Sequence, residues 1–301
     1  MDMDKILSAV VSVRASIPEN AFTAGTLGTS REGSGIVIRE NGLILTIGYL
    51  ITEAEDVWIN CGDGRVVPGH PMAYDQESGF GLVQALAPLE LPALEIGDSD
   101  ATQVEDPILF IDGEGQYVRG NIVAKQEFAG YWEYLLEEAI FTAPAHPSWG
   151  GAALVDKDGK LVGVGSLRLQ MSKGGEIADI NMAVPINLLR PILDDLLNQG
   201  EYNRPPRPWL GAFSAENNGD VVVMSVTENG PAAKAGMRRG DIISEIRDGE
   251  VDGLADFYRK VWESGPPGAE IPIRVLRDGR EAWLRVKSAD RNDFLRKPQL
   301  Q

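Results

Sequence analysis

The chain holds only two histidines, His70 and His146, so any imidazole chemistry must use one of them. His146 stands two residues before a serine in the run His146-Pro147-Ser148-Trp149-Gly150-Gly151. A serine hydroxyl attacks a carbonyl when a base within hydrogen-bond reach takes its proton and a third group orients that base. A Ser148–His146 dyad would need a tight turn, and Pro147 stiffens the segment. The plainer reading of His146 is a loop residue bonded locally, and of His70, which precedes Pro71, an exposed turn residue. No lysine stands near Ser148 to replace the imidazole. No metal-ligand spacing occurs, nor a glycine-rich phosphate loop between a strand and a helix, so neither metal nor cofactor is expected.

Composition narrows the classes further. The 301 residues suggest two domains at roughly 150 residues each. A formal net charge of -17 argues against nucleic-acid or anionic-membrane partners, which need clustered Lys and Arg; it reads as a solubility feature. The single cysteine, Cys61, forbids an intrachain disulfide, fits a reducing compartment and reads as a buried small apolar residue. The N-terminus begins acidic and lacks a basic region and a cleavage site. No run approaches the roughly 18 apolar residues of a membrane helix. The chain as it stands reads as soluble and cytoplasmic, or periplasmic if a leader has been removed from a longer chain.

Any such residues must be carried by short strands. Thirty-four glycines and 18 prolines imply many turns. Hairpins are expected at Ile36-Val37-Ile38 with Leu43-Ile44-Leu45 across Asn41-Gly42, at Val57-Trp58-Ile59 with Arg65-Val66-Val67, and at Leu154-Val155 with Leu161-Val162 across Asp158-Gly159. Repeated hairpins up to about residue 190 with no helix between them predict antiparallel barrels. After Pro185 the apolar residues Leu188, Leu189, Ile192, Leu193, Leu196 and Leu197 recur at helical spacing and Gly200 ends the run. Arg204-Pro205-Pro206-Arg207-Pro208 reads as a stiff connector. Residues 208–290 predict a second small domain with strands at Val221-Val222-Val223-Met224, at 242–246, 271–275 and 283–286. A Pro-started, Gly-ended helix is expected at Pro231–Gly236 and an amphipathic one over 254–263. The expected layout is a double barrel over 1–198, a linker over 199–207, the second domain over 208–290 and a polar, frayed tail over 291–301.

Several runs, in order, carry a family likeness: Gly33-Ser34-Gly35, Gly42-Leu43-Ile44-Leu45-Thr46, Gly151-Ala152-Ala153-Leu154-Val155, Asp158-Gly159-Lys160-Leu161-Val162-Gly163, Ala183-Val184-Pro185, Trp209-Leu210-Gly211, and Gly230-Pro231-Ala232-Ala233-Lys234-Ala235-Gly236 through Gly240-Asp241. By their order and spacing over residues 9–288 the chain resembles the HtrA family. The resemblance implies a mostly β fold: a chymotrypsin-like (trypsin-like) double β-barrel followed by a PDZ domain. It also implies a serine, histidine and aspartate, and this chain departs there. Tyr49 stands at the histidine position, Gly79 at the aspartate position and Gly150 at the nucleophile position. Glycine cannot attack a carbonyl, and tyrosine, titrating near 10, is a poor base at pH 7.

The expectation is a catalytically inactive scaffold, a pseudoprotease. An alternative is a serine endopeptidase using Ser148, with His146, as a displaced site. Another is a holdase-type assembly subunit, since HtrA-like proteins commonly form homotrimers and Phe22 sits in the corresponding region. The N–H groups around Ser148 and Gly150 are candidates for a surviving anion nest, and Trp149 either plugs the cleft or packs on the barrel. The PDZ likeness implies that an extended or C-terminal peptide adds as a strand beside Trp209-Leu210-Gly211-Ala212-Phe213, its carboxylate held by backbone N–H groups. The helix bearing Leu254, Phe257, Tyr258 and Val261 forms the other wall, with Leu254 and Val261 equally readable as core.

Overall fold

The computed structural model describes residues 2–173 and 175–296. Contact clustering divides the chain into two units, one of residues 1–126, 138–203 and 296–301, the other of Glu127–Glu137 and Arg204–Leu295.

The first unit is built from the expected hairpins. After a short helix α1 (Met3–Ser8), six strands close a barrel in the order β1-β2-β3-β6-β5-β4: β1 Val10–Ser16, β2 Ser30–Arg39, β3 Leu43–Ile47, β4 Asp56–Asn60, β5 Val66–Tyr74 and β6 Phe80–Ala85. A one-turn helix α2 (Ala24–Leu27) lies between β1 and β2. Ile36, Val37, Ile44, Leu45, Ile59, Phe80, Leu82 and Val83 of its strands are all buried, on both faces of the sheet. Gly42 takes a φ of 82° in the β2–β3 turn, a conformation costly for residues with a Cβ. A second barrel follows in the order β10-β11-β12-β9-β8-β7: β7 Pro107–Ile111, β8 Tyr117–Gly130, β9 Tyr134–Ala143, β10 Ala153–Val155, β11 Leu161–Lys173 and β12 Glu176–Pro185. Its core gathers Ile108, Phe110, Ile122, Ile140, Ala152, Leu154, Val162 and Ala183. Closure leaves neither sheet with an edge open to pairing.

The second unit is a sheet in the order β13-β14-β15-β17-β18, from β13 Ala212–Asn217, β14 Asp220–Val226, β15 Ile242–Ile246, β17 Glu270–Arg277 and β18 Arg280–Lys287, with β16 Gly249–Glu250 paired to β15. Helix α3 (Leu193–Gln199) precedes it in the chain; α4 (Pro231–Lys234) and α5 (Gly253–Glu263) lie within it. The strands at 221–224, 242–246, 271–275 and 283–286 and both helices fall where the sequence puts them. Asp241 is fully buried and bound by Arg277 Nε at 2.6 Å and Nη2 at 2.7 Å, with the Arg238 N–H at 2.8 Å.

Several expectations change. The helical periodicity after Pro185 is split: a 3-10 turn covers Ile186–Leu188, and only Leu193–Gln199 is α-helix, capped by Gly200 in the left-handed region at φ 76°. Pro191 interrupts the run, because it lacks the N–H that would continue it. His70 is a half-buried residue of β5 rather than an exposed turn, held in register opposite Gln84. Cys61 is buried as expected, and burial pushes its thiol pKa up. The tail is ordered at its start: a 3-10 turn covers Arg291–Asp293, and Phe294 packs on Trp209 with ring centroids 4.9 Å apart. Residues 297–301 of that tail lie outside the described residues. Among the described residues no helix is long and apolar enough to cross a membrane.

Candidate functional site

Tyr49 begins where β3 ends, in the 3-10 turn Gly48–Leu50. Arg31, itself buried, donates from Nη1 to the Tyr49 carbonyl at 2.8 Å and to that of Thr52 at 3.0 Å, so the turn is braced from the barrel side. The Tyr49 hydroxyl donates to the Ser166 carbonyl at 2.9 Å. Burial pushes its pKa well above the ordinary phenol value, although a hydrogen bond from the Trp149 side chain pulls the other way. This phenol is a neutral fixed donor at pH 7.

Gly150 faces the same hydroxyl: a Cβ built there would lie 2.8 Å from Tyr49 Oη. The volume of a residue-150 side chain is thus already taken by Tyr49. Its carbonyl accepts the Ser34 N–H at 2.8 Å. Gly151 follows at φ 76°, where a Cβ would overlap the Ser34 carbonyl and sit 2.6 Å from Thr46 Oγ1. Gly79 closes the turn after Asp75 at φ 80°; its N–H reaches the Asp75 carbonyl at 2.8 Å and its carbonyl takes the Gly48 N–H at 2.7 Å. Beside it, the Tyr74 ring fills the space over Gly48. The three positions thus sit in one packed cluster at the ends of β3, β6 and the loop before β10.

The alternative dyad is arranged differently from a nucleophile and its base. His146 is 1 % exposed, its N–H and C=O both bonded to the Asn181 amide, at 2.6 and 3.2 Å, and its ring stacked on Phe110. Its Nδ1 accepts the backbone N–H of Ser148 at 3.0 Å. The proton therefore sits on Nε2, which points toward Asp112 Oδ2 at 3.8 Å. Ser148 is exposed and meets His146 through its backbone, not its hydroxyl. The same bond corrects the anion nest, since the Ser148 N–H is spent on His146. Trp149 does both things considered for it: it packs against the second barrel's core and reaches the Tyr49 hydroxyl. A cleft of about 390 Å³ remains, lined by Ser34, Tyr49, Asp112, Ser148 and Trp149 among others.

The second unit holds a different kind of site. Leu210, Gly211 and Ala212 present three successive N–H groups. Gly211 takes φ 72°, and a Cβ there would lie 2.9 Å from the Trp209 ring, so this loop requires glycine. All three N–H groups point at the carboxylate of Glu133, at 3.0, 2.6 and 3.0 Å. The chain beside it runs between β13 and α5. Ser214 donates its N–H to the Tyr131 carbonyl at 3.0 Å, and the Tyr258 hydroxyl donates to the Gly130 carbonyl at 2.7 Å. Burial raises the Glu133 carboxyl pKa to about 7 against the opposing pull of the three N–H groups and of Arg291.

Of the residues expected to bind peptide, Leu210, Gly211 and Ala212 hold the Glu133 carboxylate, Phe213 lies beside Tyr131 with ring centroids 6.2 Å apart, and Tyr258, itself buried in the core, donates to the Gly130 carbonyl. Trp209 and Phe257 are corrected. Trp209 exchanges backbone bonds with Ala289, and its ring lies on Phe294. Phe257 is wholly buried with Leu254 and Val261 in the core under the sheet, because the 3.6-residue period turns those three inward together. Sequence reasoning missed Glu133 and Tyr131. The available signal was a carboxylate set among aromatics in Tyr131-Trp132-Glu133-Tyr134, which is weak without the partner loop 77 residues away.

Residues 33–164 match the trypsin-like peptidase domain, and residues 208–287 match the PDZ domain. The class is a trypsin-like domain followed by a PDZ domain. The periplasmic pH-dependent serine endoprotease DegQ of Escherichia coli is 28% identical over 94% of this chain and 68% of its own length. The periplasmic serine endoprotease DegP of the same species is 28% identical over 85% of this chain and 56% of its own, so this chain spans between about half and two thirds of these relatives. A solved structure of the HtrA-type protease AlgW with a decapeptide aligns with TM-score 0.55 and 24% identity, covering 99% of this chain and 100% of that one. A serine endoprotease structure from Yersinia pestis aligns with TM-score 0.54 at 23% identity, covering 96% and 98%. At such identities these two show likeness of fold alone. In its domain order and its curated relatives, the chain is similar to HtrA-type serine proteases.

Proposed function

We propose that this chain is a catalytically inactive HtrA-like protein whose PDZ domain binds extended or C-terminal peptides, a scaffold rather than a hydrolase. The supporting observation is at residue 150, which the resemblance aligns with the nucleophile: Tyr49 Oη stands 2.8 Å from where a residue-150 Cβ would be, and that hydroxyl is bonded to Ser166 and Trp149. A vestige from simple loss of side chains would leave a gap; here the neighbouring phenol occupies it. Acyl transfer through this cluster has neither a nucleophile nor a base, and the residual effect of binding alone is small. The PDZ match supports peptide or protein binding, and the Leu210–Ala212 N–H groups form a carboxylate cradle.

The test is turnover of unfolded casein, with fluorophosphonate labelling, by the chain and by Ser148→Ala. Neither form cleaves or labels on this reading. Cleavage abolished by Ser148→Ala would mean a displaced active site and overturn it. On the binding side, Gly211→Trp crowds the cradle and is expected to abolish peptide binding; affinity unchanged by it would remove the PDZ part of the proposal.

A further inference from the structure

The Glu133 carboxylate receives three backbone donors, more than a lone surface glutamate ever needs, and it receives them in a buried loop. The surrounding segment is held along its length. Tyr131 offers its carbonyl to the Ser214 N–H of β13, so the turn between β8 and β9 is bonded to the edge strand of the sheet. Tyr258 of α5 donates to the Gly130 carbonyl and accepts the Glu133 N–H at 3.3 Å. Leu135 is buried with Leu210, Ala212, Leu254 and Val261. Arg259 of α5 pairs with Glu127 and Glu137 at the two ends of the segment. Glu133 itself takes φ 58°, a left-handed backbone that a residue with a Cβ holds only where its surroundings over-determine it. A backbone bond to an edge strand, a carboxylate held by successive N–H groups and a buried leucine are elements by which a peptide is captured at a sheet edge.

We infer that this PDZ domain carries its own ligand: residues 130–135 fill the peptide groove, with the Glu133 carboxylate where the terminal carboxylate of a bound peptide would sit, so that a carboxylate-ended peptide enters only by displacing it. This rests on the peptide-groove reading above and adds its regulation. Two ligands cannot use the same three N–H groups, so the observed affinity for an external peptide equals its intrinsic affinity reduced by the fraction of chains with the segment withdrawn. A competent external ligand is therefore acidic at its end, extended before it, and apolar beside the carboxylate.

The experiment uses the full chain and two readouts. The first is hydrogen exchange at the amides of Leu210, Gly211 and Ala212, which reports insertion without any peptide. These amides are expected to be protected in the native chain and to exchange at least about tenfold faster in Glu133→Ala, given the strength of charge-assisted bonds. The second is binding of a fluorescein-labelled hexapeptide ending in leucine, with a free or an amidated terminus. The free acid is expected to bind Glu133→Ala at least about tenfold tighter than the native chain, and the amide to bind neither. Should Glu133→Ala fail to fold, Glu133→Gln and Tyr258→Phe make the same comparison with smaller changes in volume. Equal, rapid exchange in native and variant chains would overturn cis occupancy, as would equal peptide affinity. Protected amides with no peptide bound by any variant would leave cis occupancy standing and sink the peptide-binding reading instead, so the two failures are distinguishable.

Discussion

The two sites turn on single polar groups whose burial decides their charge. For Glu133 the inserted carboxyl has a pKa of about 7 against an ordinary 4.5. An acid whose pKa is raised in one state binds its proton more tightly there. Insertion is therefore favoured below about 4.5, weakens as pH rises through the window to about 7, and loses nothing further above it. The charged and titratable groups facing this carboxyl are Tyr258 on α5 and Arg291 after β18, with Arg259, Glu127 and Glu137 at the segment's ends. Affinity for the free-acid hexapeptide should rise between pH 5 and pH 7.5 in the native chain and stay flat in Glu133→Gln, read by fluorescence anisotropy. At Tyr49 the expectation concerns space. Gly150→Ser forces a side chain against Tyr49 Oη and should cost about 1–3 kcal/mol, as overpacking does. Combined with Tyr49→Phe it should cost less than the sum of the two single changes, a coupling visible in denaturant titrations. Additive costs would mean that the two residues do not share that space.

At the scale of elements, the β5–β6 hairpin carries Gly79, the 3-10 turn after β3 carries Tyr49 and the loop before β10 carries Gly150, while a helix–strand pair frames the second site. The hairpins form because Gly42, at φ 82°, and Gly159, at φ 85°, supply the left-handed turn residues. The PDZ sheet depends on one buried charge pair joining the turn before β15 to β17. Asp241 is fully buried; burial opposes its ionisation, yet Arg277 and the Arg238 N–H hold its carboxyl below the usual carboxylate range. Asp241→Ala strands the partly exposed Arg277 and should cost about 2–4 kcal/mol in thermal unfolding of the second unit. A carboxyl with a depressed pKa gives its stability above the ordinary value of 3.8 and loses it as pH falls through the folded value. Acid unfolding of this unit should thus set in below about pH 4 in the native chain and be less steep in Asp241→Asn, followed by circular dichroism.

At the scale of the whole molecule, the domain boundary in sequence and the boundary in space disagree. Residues 165–207 separate the two matched domains in the chain, yet Glu127–Glu137, inside the trypsin-like match, groups with the second unit. A nick between Gly200 and Pro208 should therefore leave two fragments that co-elute on size exclusion, because the N-terminal fragment contributes Glu133 and Leu135 to the core and cradle of the other. Fragments that separate freely would contradict that grouping.

The sequence by itself determined the barrels, the PDZ order of strands and helices, and the residue types Tyr49, Gly79 and Gly150 on which the proposed inactivity rests. Those are properties of local periodicity, turn chemistry and side-chain identity, and each can be read within a few residues of itself. The split of the helix after Pro185 was also written locally, in Pro191, although periodicity alone ran across it. Only the tertiary structure decided that Tyr49 fills the space beside Gly150, that His146 spends its Nδ1 on a backbone amide of Ser148, that Phe257 belongs to the core, and that Glu133 receives the N–H groups of Leu210, Gly211 and Ala212. Each depends on which groups the fold brings within about 3 Å of one another, as with Glu133 and Gly211, 78 residues apart. A hydrogen bond depends on distance and direction in space, and neither is encoded in the separation of two residues along the chain.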